Sequence, residues 1–159
     1  MPRVHHVKKA RKDNPAAKKG EPYYWWKFRY GGKRFSATRP RPSQLTQSKW
    51  AMVLEAQEAV EDAESLDDLR SALESASETC GDCASEYEEA AEHFGGQGEN
   101  QERADHLMDL QGQIDELVYK LEELDNDDEG DDDDGDDDDG DTWESIKDEA
   151  VSLEWDNPA

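Results

Sequence analysis

Two cysteines separated by two residues, in the run Cys80-Gly81-Asp82-Cys83, are the first candidates for chemistry in this sequence. Zinc sites and redox-active dithiols both use C-x-x-C spacing. A four-ligand zinc site needs two further donors, and the histidines are scattered, at His5, His6, His93 and His106. Both cysteines fall at apolar positions of a predicted helix, so we interpret them as small buried residues, with a metal site through His93 as the alternative. We expect no metal and no cofactor.

An acidic run near the end of the chain offers a calcium site as a second candidate. Its residues match EF-hand loop positions one, three, five, six and twelve at Asp125, Asp127, Glu129, Gly130 and Asp136. However, the last ligand should be glutamate, the loop's apolar position is occupied by Asp132, and the exiting helix is missing. We interpret the run as solvated chain that condenses cations weakly.

Catalytic motifs are absent from the sequence. Carboxylates are so abundant that no pair of them indicates an acid–base site, and there is no nucleophile elbow, phosphate loop or HExxH motif. We therefore predict that the protein is not an enzyme.

A basic and aromatic stretch, YYWWKFRYGGKRFS at residues 23–36, is the stronger candidate and indicates binding. Cations contact nucleic-acid phosphates, and exposed aromatic rings stack on bases or sugars. The alternative is a solvated cationic face on a structural sheet. The predicted nucleic-acid-binding residues are Tyr23, Trp25, Lys27, Arg29, Arg34, Arg39 and Arg41, with Lys8, Lys9, Arg11 and Lys12 from the preceding segment.

Charge divides the chain into a cationic head and an anionic body. Residues 1–50 hold 14 Lys/Arg and 2 Asp/Glu, a net +12, whereas residues 51–159 hold 4 Lys/Arg and 40 Asp/Glu, a net -36. Only 33% of the residues are hydrophobic, which predicts small folded pieces joined by solvated chain. Two cysteines, no secretory signal and no apolar run of membrane-spanning length predict a soluble cytoplasmic protein.

The positively charged head is predicted to form a small sheet. Residues 1–22 are expected to be an extended basic arm, of which Arg3 to Ala10 could add a third strand. Residues 23–38 are expected to form a β-hairpin around a two-residue Gly31-Gly32 turn. Pairing Tyr30 with Lys33 would place Arg29 opposite Arg34, a like-charge pair that suggests a bound phosphate. One face would then carry Tyr24, Trp26, Phe28, Tyr30 and Phe35.

Helices are predicted for most of the remaining chain. After the stiff Arg39–Pro42 connector, Ser43 is expected to cap a helix that packs Leu45 and Trp50 on the hairpin, which completes a unit over 23–62. Residues 63–126 are expected to form an antiparallel helical hairpin, with Ser65 and Asn100 as N-caps and Gly95–Gly98 as the loop. Its first seam is Leu66, Leu69, Leu73, Ala76, Cys80, Cys83, Tyr87, Ala90 and Phe94; its second is Leu107, Leu110, Ile114, Leu117, Leu121 and Leu124.

The end of the chain is predicted to be a solvated acidic linker over 127–141, followed by a short helix within 142–159. Thr142 is its expected cap, and Trp143, Ile146, Ala150 and Leu153 form one apolar stripe. The predicted fold class is thus α+β: a small antiparallel sheet packed on a helix, a coiled-coil-like helical hairpin, and a disordered acidic tail ending in a short helix.

The segment WWKFRYGGKRFSATRP, followed by a helix near Ser43, resembles the arm-type DNA-binding module of tyrosine integrases, which is related to the AP2 fold. The resemblance implies that the sheet enters the major groove with Lys27, Arg29 and Arg34 facing DNA. No integrase catalytic residues follow, so only the binding module would transfer. The whole chain also resembles uncharacterised bacteriophage proteins that join such a head to an acidic coiled coil.

These observations predict a non-enzymatic, phage-encoded accessory protein that binds DNA or RNA through its head, with the acidic tail modulating access. One alternative is an acidic nucleic-acid mimic or interaction protein whose body binds and inhibits a host DNA-binding protein. A second alternative is a virion or scaffolding component, with the helical hairpin as a possible homo-oligomer contact.

Overall fold

The structure is a computed structural model that describes residues 1–94, 97–127 and 142–158. The chain folds as two compact units, Met1–Ala51 and Met52–Ala159, so the first unit coincides with the cationic head. A three-stranded antiparallel sheet is followed by helices, which confirms the predicted α+β class. Within the described ranges, no helix combines the length and the apolarity needed to cross a membrane.

The sheet of the first unit consists of β1 (His5–Val7), β2 (Tyr23–Lys27) and β3 (Lys33–Ser36), in that order. The third strand that the sequence allowed is therefore present, as β1 at the sheet edge. Trp25, in the centre of β2, lies opposite His5 on one side and opposite Phe35 on the other. Lys27 lies opposite Lys33.

The predicted hairpin register is wrong by three residues. The pairs Tyr30–Lys33 and Arg29–Arg34 do not form, because residues 28–32 make a wider connection than a Gly31-Gly32 turn. Neither of these glycines has positive φ, which a two-residue hairpin turn of the expected type requires. Because side chains alternate between the two faces of a strand, an odd shift exchanges the faces of β3 relative to β2.

The segment between β1 and β2 is a hydrogen-bonded loop rather than an extended arm. Asn14 Oδ1 accepts from the backbone N–H groups of Ala16 and Ala17, each at 2.9 Å. The Ala10 N–H donates to the Glu21 carbonyl at 2.9 Å, and the methyl groups of Ala10 and Ala17 are buried. Gly20 has a φ of +99°, a left-handed conformation that favours glycine. The loop is therefore tied to itself at several points.

The connection after β3 contains a short 3-10 helix (Pro42–Leu45), and the first α-helix, α1 (Trp50–Asp62), starts later than predicted. Ser43 therefore does not cap an α-helix. It is buried inside the 3-10 turn, where Pro42 at the first position favours a helical start. Trp50 is only 2% exposed, and Leu45 is half-buried.

The second unit contains the predicted antiparallel helical hairpin, formed by α2 (Leu66–Phe94) and α3 (Gln97–Asp127). Arg70 bonds Asp125 at 3.0 Å near one end, and Ser77 Oγ donates to Asp115 at 2.6 Å. Nearer the other end, the Arg103 guanidinium lies 5.7 Å from the Tyr87 ring centroid. Early residues of α2 thus meet late residues of α3, which confirms the antiparallel arrangement.

The heptad seams form the core of this hairpin. The seam residues that are at most 2% exposed are Leu69, Leu73, Ala76, Cys80, Cys83, Leu107, Leu110, Ile114, Leu117 and Leu121. Late in α2 the buried position is Ala91 rather than the predicted Ala90. The leucine seams thus pack against each other within the chain.

Helix boundaries in this unit are predicted with mixed success. Ser65 Oγ accepts from the Asp68 N–H at 3.2 Å, which confirms it as the cap of α2. Asn100 is not a cap, because α3 already begins at Gln97 and the Asn100 amide oxygen accepts from Arg103 at 3.2 Å. The predicted loop residues Gly95 and Gly96, the side chain of Phe94 and residues 128–141 of the acidic linker lie outside the described residues.

The last helix, α4 (Trp143–Val151), packs on α3 and α2. Thr142 Oγ1 accepts from the Ser145 N–H at 3.2 Å, as expected of its N-cap. Its apolar stripe buries Ile146 and Ala150, and Trp155 beyond the helix is 2% exposed. Lys120 of α3 forms an ion pair with Glu149 of α4 at 3.0 Å, so a polar contact accompanies the apolar packing of the two helices.

Candidate nucleic-acid interface

One face of the sheet combines aromatic rings with exposed cations. Strand alternation and the observed register place seven side chains on this surface, which we call the aromatic-basic face: His5, Val7, Tyr23, Trp25, Lys27, Lys33 and Phe35. Their rings are half-buried and the two lysines are exposed. On the opposite face Trp26 is 3% exposed, whereas His6 and Arg34 are exposed. The aromatic-basic face is the candidate ligand surface because it combines half-buried rings with two lysines in one cross-strand pair.

Trp25 has neighbours from both flanking strands. The His5 ring stacks on the indole with centroids 4.2 Å apart and an interplanar angle of 9°. Lys33 Nζ lies 4.7 Å from the indole centroid, within the range of a cation–π contact. Because β1 and β3 flank β2 on opposite sides, these neighbours cover the two faces of the ring. Trp25 therefore contacts Lys33 and His5, and its predicted role in stacking on a base stays a prediction.

Lys27 and Lys33 form a like-charge pair directly across the strands. Such pairs are destabilising unless an anion lies nearby. Residues 1–51 contain only two carboxylates, and both accept backbone hydrogen bonds: Asp13 from the Lys19 N–H at 2.7 Å and Glu21 from the Lys18 N–H at 2.8 Å. The sheet thus presents positive charge that the first unit itself has few carboxylates to neutralise.

The other predicted cations are spread around the sheet. Arg34 projects from the opposite face, with its guanidinium 6.0 Å from the Phe28 centroid. Arg29 lies in the β2–β3 connection, 5.4 Å from the Tyr30 centroid. Arg39 is exposed beyond β3, and the Arg41 N–H bonds Gln44 at the start of the 3-10 helix. The structure therefore groups Tyr23, Trp25 and Lys27, and leaves these four arginines outside the face.

Sequence reasoning missed His5, Lys33 and Phe35 as members of the face. All three follow from the register alone, since a strand at residues 5–7 and a five-residue connection bring them beside Trp25. The sequence allowed a strand within Arg3 to Ala10, but the run Val4-His5-His6-Val7 does not alternate and so gave no signal of which side chains would lie beside Trp25.

A cationic groove adjoins the face at Tyr23. It has a volume of about 530 Å³, and its walls include Val7, Lys9, Arg11, Lys12, Asp13 and Tyr23. Three of the predicted binding residues of the β1–β2 loop thus converge on one place. Lys8 is exposed and does not line the groove.

The C-x-x-C motif lies apart from this surface, inside the helical hairpin. Cys80 and Cys83 are both buried as free thiols. Burial, followed by the neighbouring Cys83 and Asp115, raises the pKa of Cys80 to about 12, so its thiolate is scarce at neutral pH. His93 is exposed, and the described residues contain no group of three or more metal-ligating side chains. The geometry favours the interpretation of both cysteines as packing residues.

Comparisons with protein-family models, with curated proteins and with solved structures find no match for this chain. The resemblance to the integrase arm module and to phage proteins therefore stays a prediction. What can be argued about function comes from the sheet, the groove and the distribution of charge.

Proposed function

We propose that the chain is a non-enzymatic nucleic-acid-binding accessory protein that contacts DNA or RNA through its aromatic-basic face. The observation that carries this proposal is the cross-strand pair of Lys27 and Lys33, which are both exposed and of which Lys33 contacts the Trp25 ring. A phosphate between or above the two ammonium groups converts their repulsion into attraction to a shared partner. The neighbouring cationic groove extends the same surface.

The electrostatics of the first unit support a polyanion as the partner. Its net charge of +12 lies on about a third of the chain, so the local potential at its surface favours a phosphate backbone, whereas the remaining residues carry -36. Backbone contacts of this kind fix the protein on the polymer without reading its sequence. The proposal therefore concerns affinity for nucleic acid and not a particular target site.

Titration of the full-length chain with labelled duplex DNA, single-stranded DNA and RNA over a series of salt concentrations tests the proposal. We expect binding that weakens steeply as salt rises, because neutralised phosphates release counterions. Gel shift or fluorescence anisotropy gives the dissociation constants. A folded chain that binds none of the three polymers in dilute buffer would overturn the proposal.

Phage origin and a cytoplasmic location belong to the same proposal. The resemblance of the head to an integrase arm module supports DNA as the polymer, and a reducing compartment suits the two free thiols.

The acidic residues of 127–141 are proposed to compete with nucleic acid for the head. Covalent linkage to the head gives such a segment an effective concentration on the order of millimolar.

A second candidate function, binding of a basic protein by the acidic body, is favoured by the surface of the helical hairpin. Together, α2 and α3 carry 19 Asp or Glu and 3 Lys or Arg. An open groove of about 390 Å³ between them is lined by Glu78, Asp82 and Glu88, with Met108 as an exposed apolar contact. Carboxylates around an apolar spot match a lysine- or arginine-rich surface.

This second function can be tested with charge reversal in the full-length chain. Glu78, Asp82 and Glu88 are changed to lysine, and the control changes Glu74, Glu89 and Glu116, which do not line the groove. Calorimetric titration with a purified basic DNA-binding protein should lose affinity in the first variant more than in the control. Equal losses of affinity in the two variants would show that the overall negative charge, and not the groove, binds the basic protein.

A further inference from the structure

Among the rings of the aromatic-basic face, Tyr23 is the one that lines the cationic groove. Its ring neighbour within the described residues is Phe35, tilted by 41° at a centroid distance of 6.1 Å, and Val7 lies opposite it on β1. The Trp25 ring is contacted by His5 and Lys33. Phe35 lies opposite Trp25 and also neighbours the Tyr23 ring. Stacking of a base, which the sequence assigned to Trp25 as well, therefore falls to Tyr23.

The groove beside Tyr23 has a wall suited to phosphate. Lys9, Arg11 and Lys12 line it, and none of them forms an ion pair within the described part of the chain. Asp13 also lines it and leaves a net charge of +2, while its carboxylate accepts from the Lys19 N–H. The volume of about 530 Å³ lies within the range of small-molecule sites and accommodates one nucleotide.

The loop that carries these cations is held in shape before any ligand arrives. Its turn is closed by the Asn14 side chain, and the Gly20 N–H donates to the Ala10 carbonyl at 2.9 Å. Ala10 is 4% and Ala17 is 7% exposed, so both methyl groups anchor the loop. A fixed loop loses less conformational entropy on binding than the extended arm that the sequence predicted.

We propose that the groove binds one unpaired nucleotide, with its phosphate held by Lys9, Arg11 and Lys12 and its base stacked on Tyr23. This inference rests on the proposed function and adds a ligand class to it, namely nucleic acid with an unpaired segment. A base inside a duplex cannot reach the Tyr23 ring, because it is stacked on both sides. A single-stranded overhang beside a duplex can occupy the groove and the aromatic-basic face together.

The test compares two duplexes of the same sequence, one blunt-ended and one with a short single-stranded overhang, binding to the full-length chain. We expect the overhang to tighten binding by about 5- to 150-fold, the range given by one base–aromatic stack. Tyr23→Ala and the double variant Lys9→Gln, Lys12→Gln should each lose most of this preference. The matched control, Lys18→Gln with Lys19→Gln, removes the same charge from the same loop outside the groove and should keep it.

A photocrosslinking base, 5-iododeoxyuridine, in the overhang gives a second readout, and we expect mass spectrometry to place the crosslink on Tyr23. Tyr23→Ala changes a strand residue and could unfold the sheet. The double variant at Lys9 and Lys12 changes exposed side chains only, so it still tests the groove if the tyrosine variant unfolds. Equal affinity for the two duplexes, or a crosslink on Trp25, would overturn the groove assignment and leave the proposed function standing. If the chain binds neither duplex nor a single strand, both the groove assignment and the proposed nucleic-acid-binding function are wrong.

Discussion

Lys27 of β2 lies directly opposite Lys33 of β3, and Lys33 Nζ lies 4.7 Å from the centroid of the Trp25 ring. The register thus places the two lysines side by side on an exposed face, and one aromatic ring contacts the ammonium group of Lys33. An arrangement that opposes folding and points to solvent is best explained by a partner with negative charge.

The cost of this pair to the fold can be measured by removing one charge at a time. Lys27→Gln should raise the free energy of unfolding of the first unit by some tenths of a kcal/mol, since cross-strand pairs contribute about 0.2–1 kcal/mol. Lys33→Gln should change it less, because it removes the repulsion and the contact with Trp25 together. Chemical denaturation followed by tryptophan fluorescence measures both, and destabilisation by Lys27→Gln would contradict the account.

The two tryptophans of β2 should respond differently to substitution. Trp26 is 3% exposed, so Trp26→Ala should cost about 3–5 kcal/mol, enough to unfold a unit of this size. Trp26→Phe should cost much less, because the buried Nε1 has no hydrogen-bond partner within the described residues. Thermal unfolding by circular dichroism compares them with Trp25→Phe, and equal losses in all three would show that the faces are wrongly assigned.

The error in the predicted register shows what the sequence could not specify. In YYWWKFRY both alternating sets contain aromatic residues, so hydrophobic alternation does not distinguish the core face from the exposed face. Local turn chemistry then favoured Gly31-Gly32, but β3 begins at Lys33 after a longer connection. The true register, which includes β1, depends on pairing between distant segments, and local signals do not encode it.

The helical hairpin was easier to predict, because its leucines recur with a single period over many turns. The seam from Leu69 to Cys83 is buried as expected. The prediction failed locally, at Ala90 and Asn100, where a small shift of phase or a helix start inside a glycine-rich segment decides the outcome. Docking of α4 could be anticipated from its apolar stripe, but its partner helices could not.

The C-terminal helix should stabilise the helical hairpin. Trp155 is 2% exposed and its Nε1 donates to the Ala150 carbonyl at 2.9 Å, so Trp155→Ala should cost about 3–5 kcal/mol in the second unit. Differential scanning calorimetry of the full-length chain gives the shift, and Trp143→Ala, at a half-buried position, is the milder comparison. An unchanged melting temperature would show that α4 adds nothing to this unit.

Competition by the acidic segment should be tested without deleting α4, because deletion would also remove the buried Trp155. Replacing the aspartates within 131–139 by asparagine leaves the helix in place. We expect tighter nucleic-acid binding at low salt and no difference at high salt, where charge is screened. Unchanged or weaker affinity at low salt would argue against autoinhibition.

Cys80 should make the stability of the helical hairpin depend on pH in the alkaline range. Its pKa is raised from 9.0 to about 12 in the folded state, so the unfolded chain releases this proton first as pH rises. The corresponding stability is fully present below pH 9.0 and is lost as pH rises toward about 12. Urea unfolding of the wild-type chain and of Cys80→Ala should show a steeper alkaline decline in the wild type, and parallel curves would contradict the burial.

The salt dependence of nucleic-acid binding by the Lys27→Gln, Lys33→Gln double variant tests the central claim most directly. If both lysines neutralise phosphates, the slope of log affinity against log salt should fall in magnitude by about 1.8 for duplex DNA, at about 0.9 per contact. The control with Lys18→Gln and Lys19→Gln should retain the wild-type slope more closely. A double variant with the wild-type affinity and slope would contradict the assignment of this face to nucleic acid.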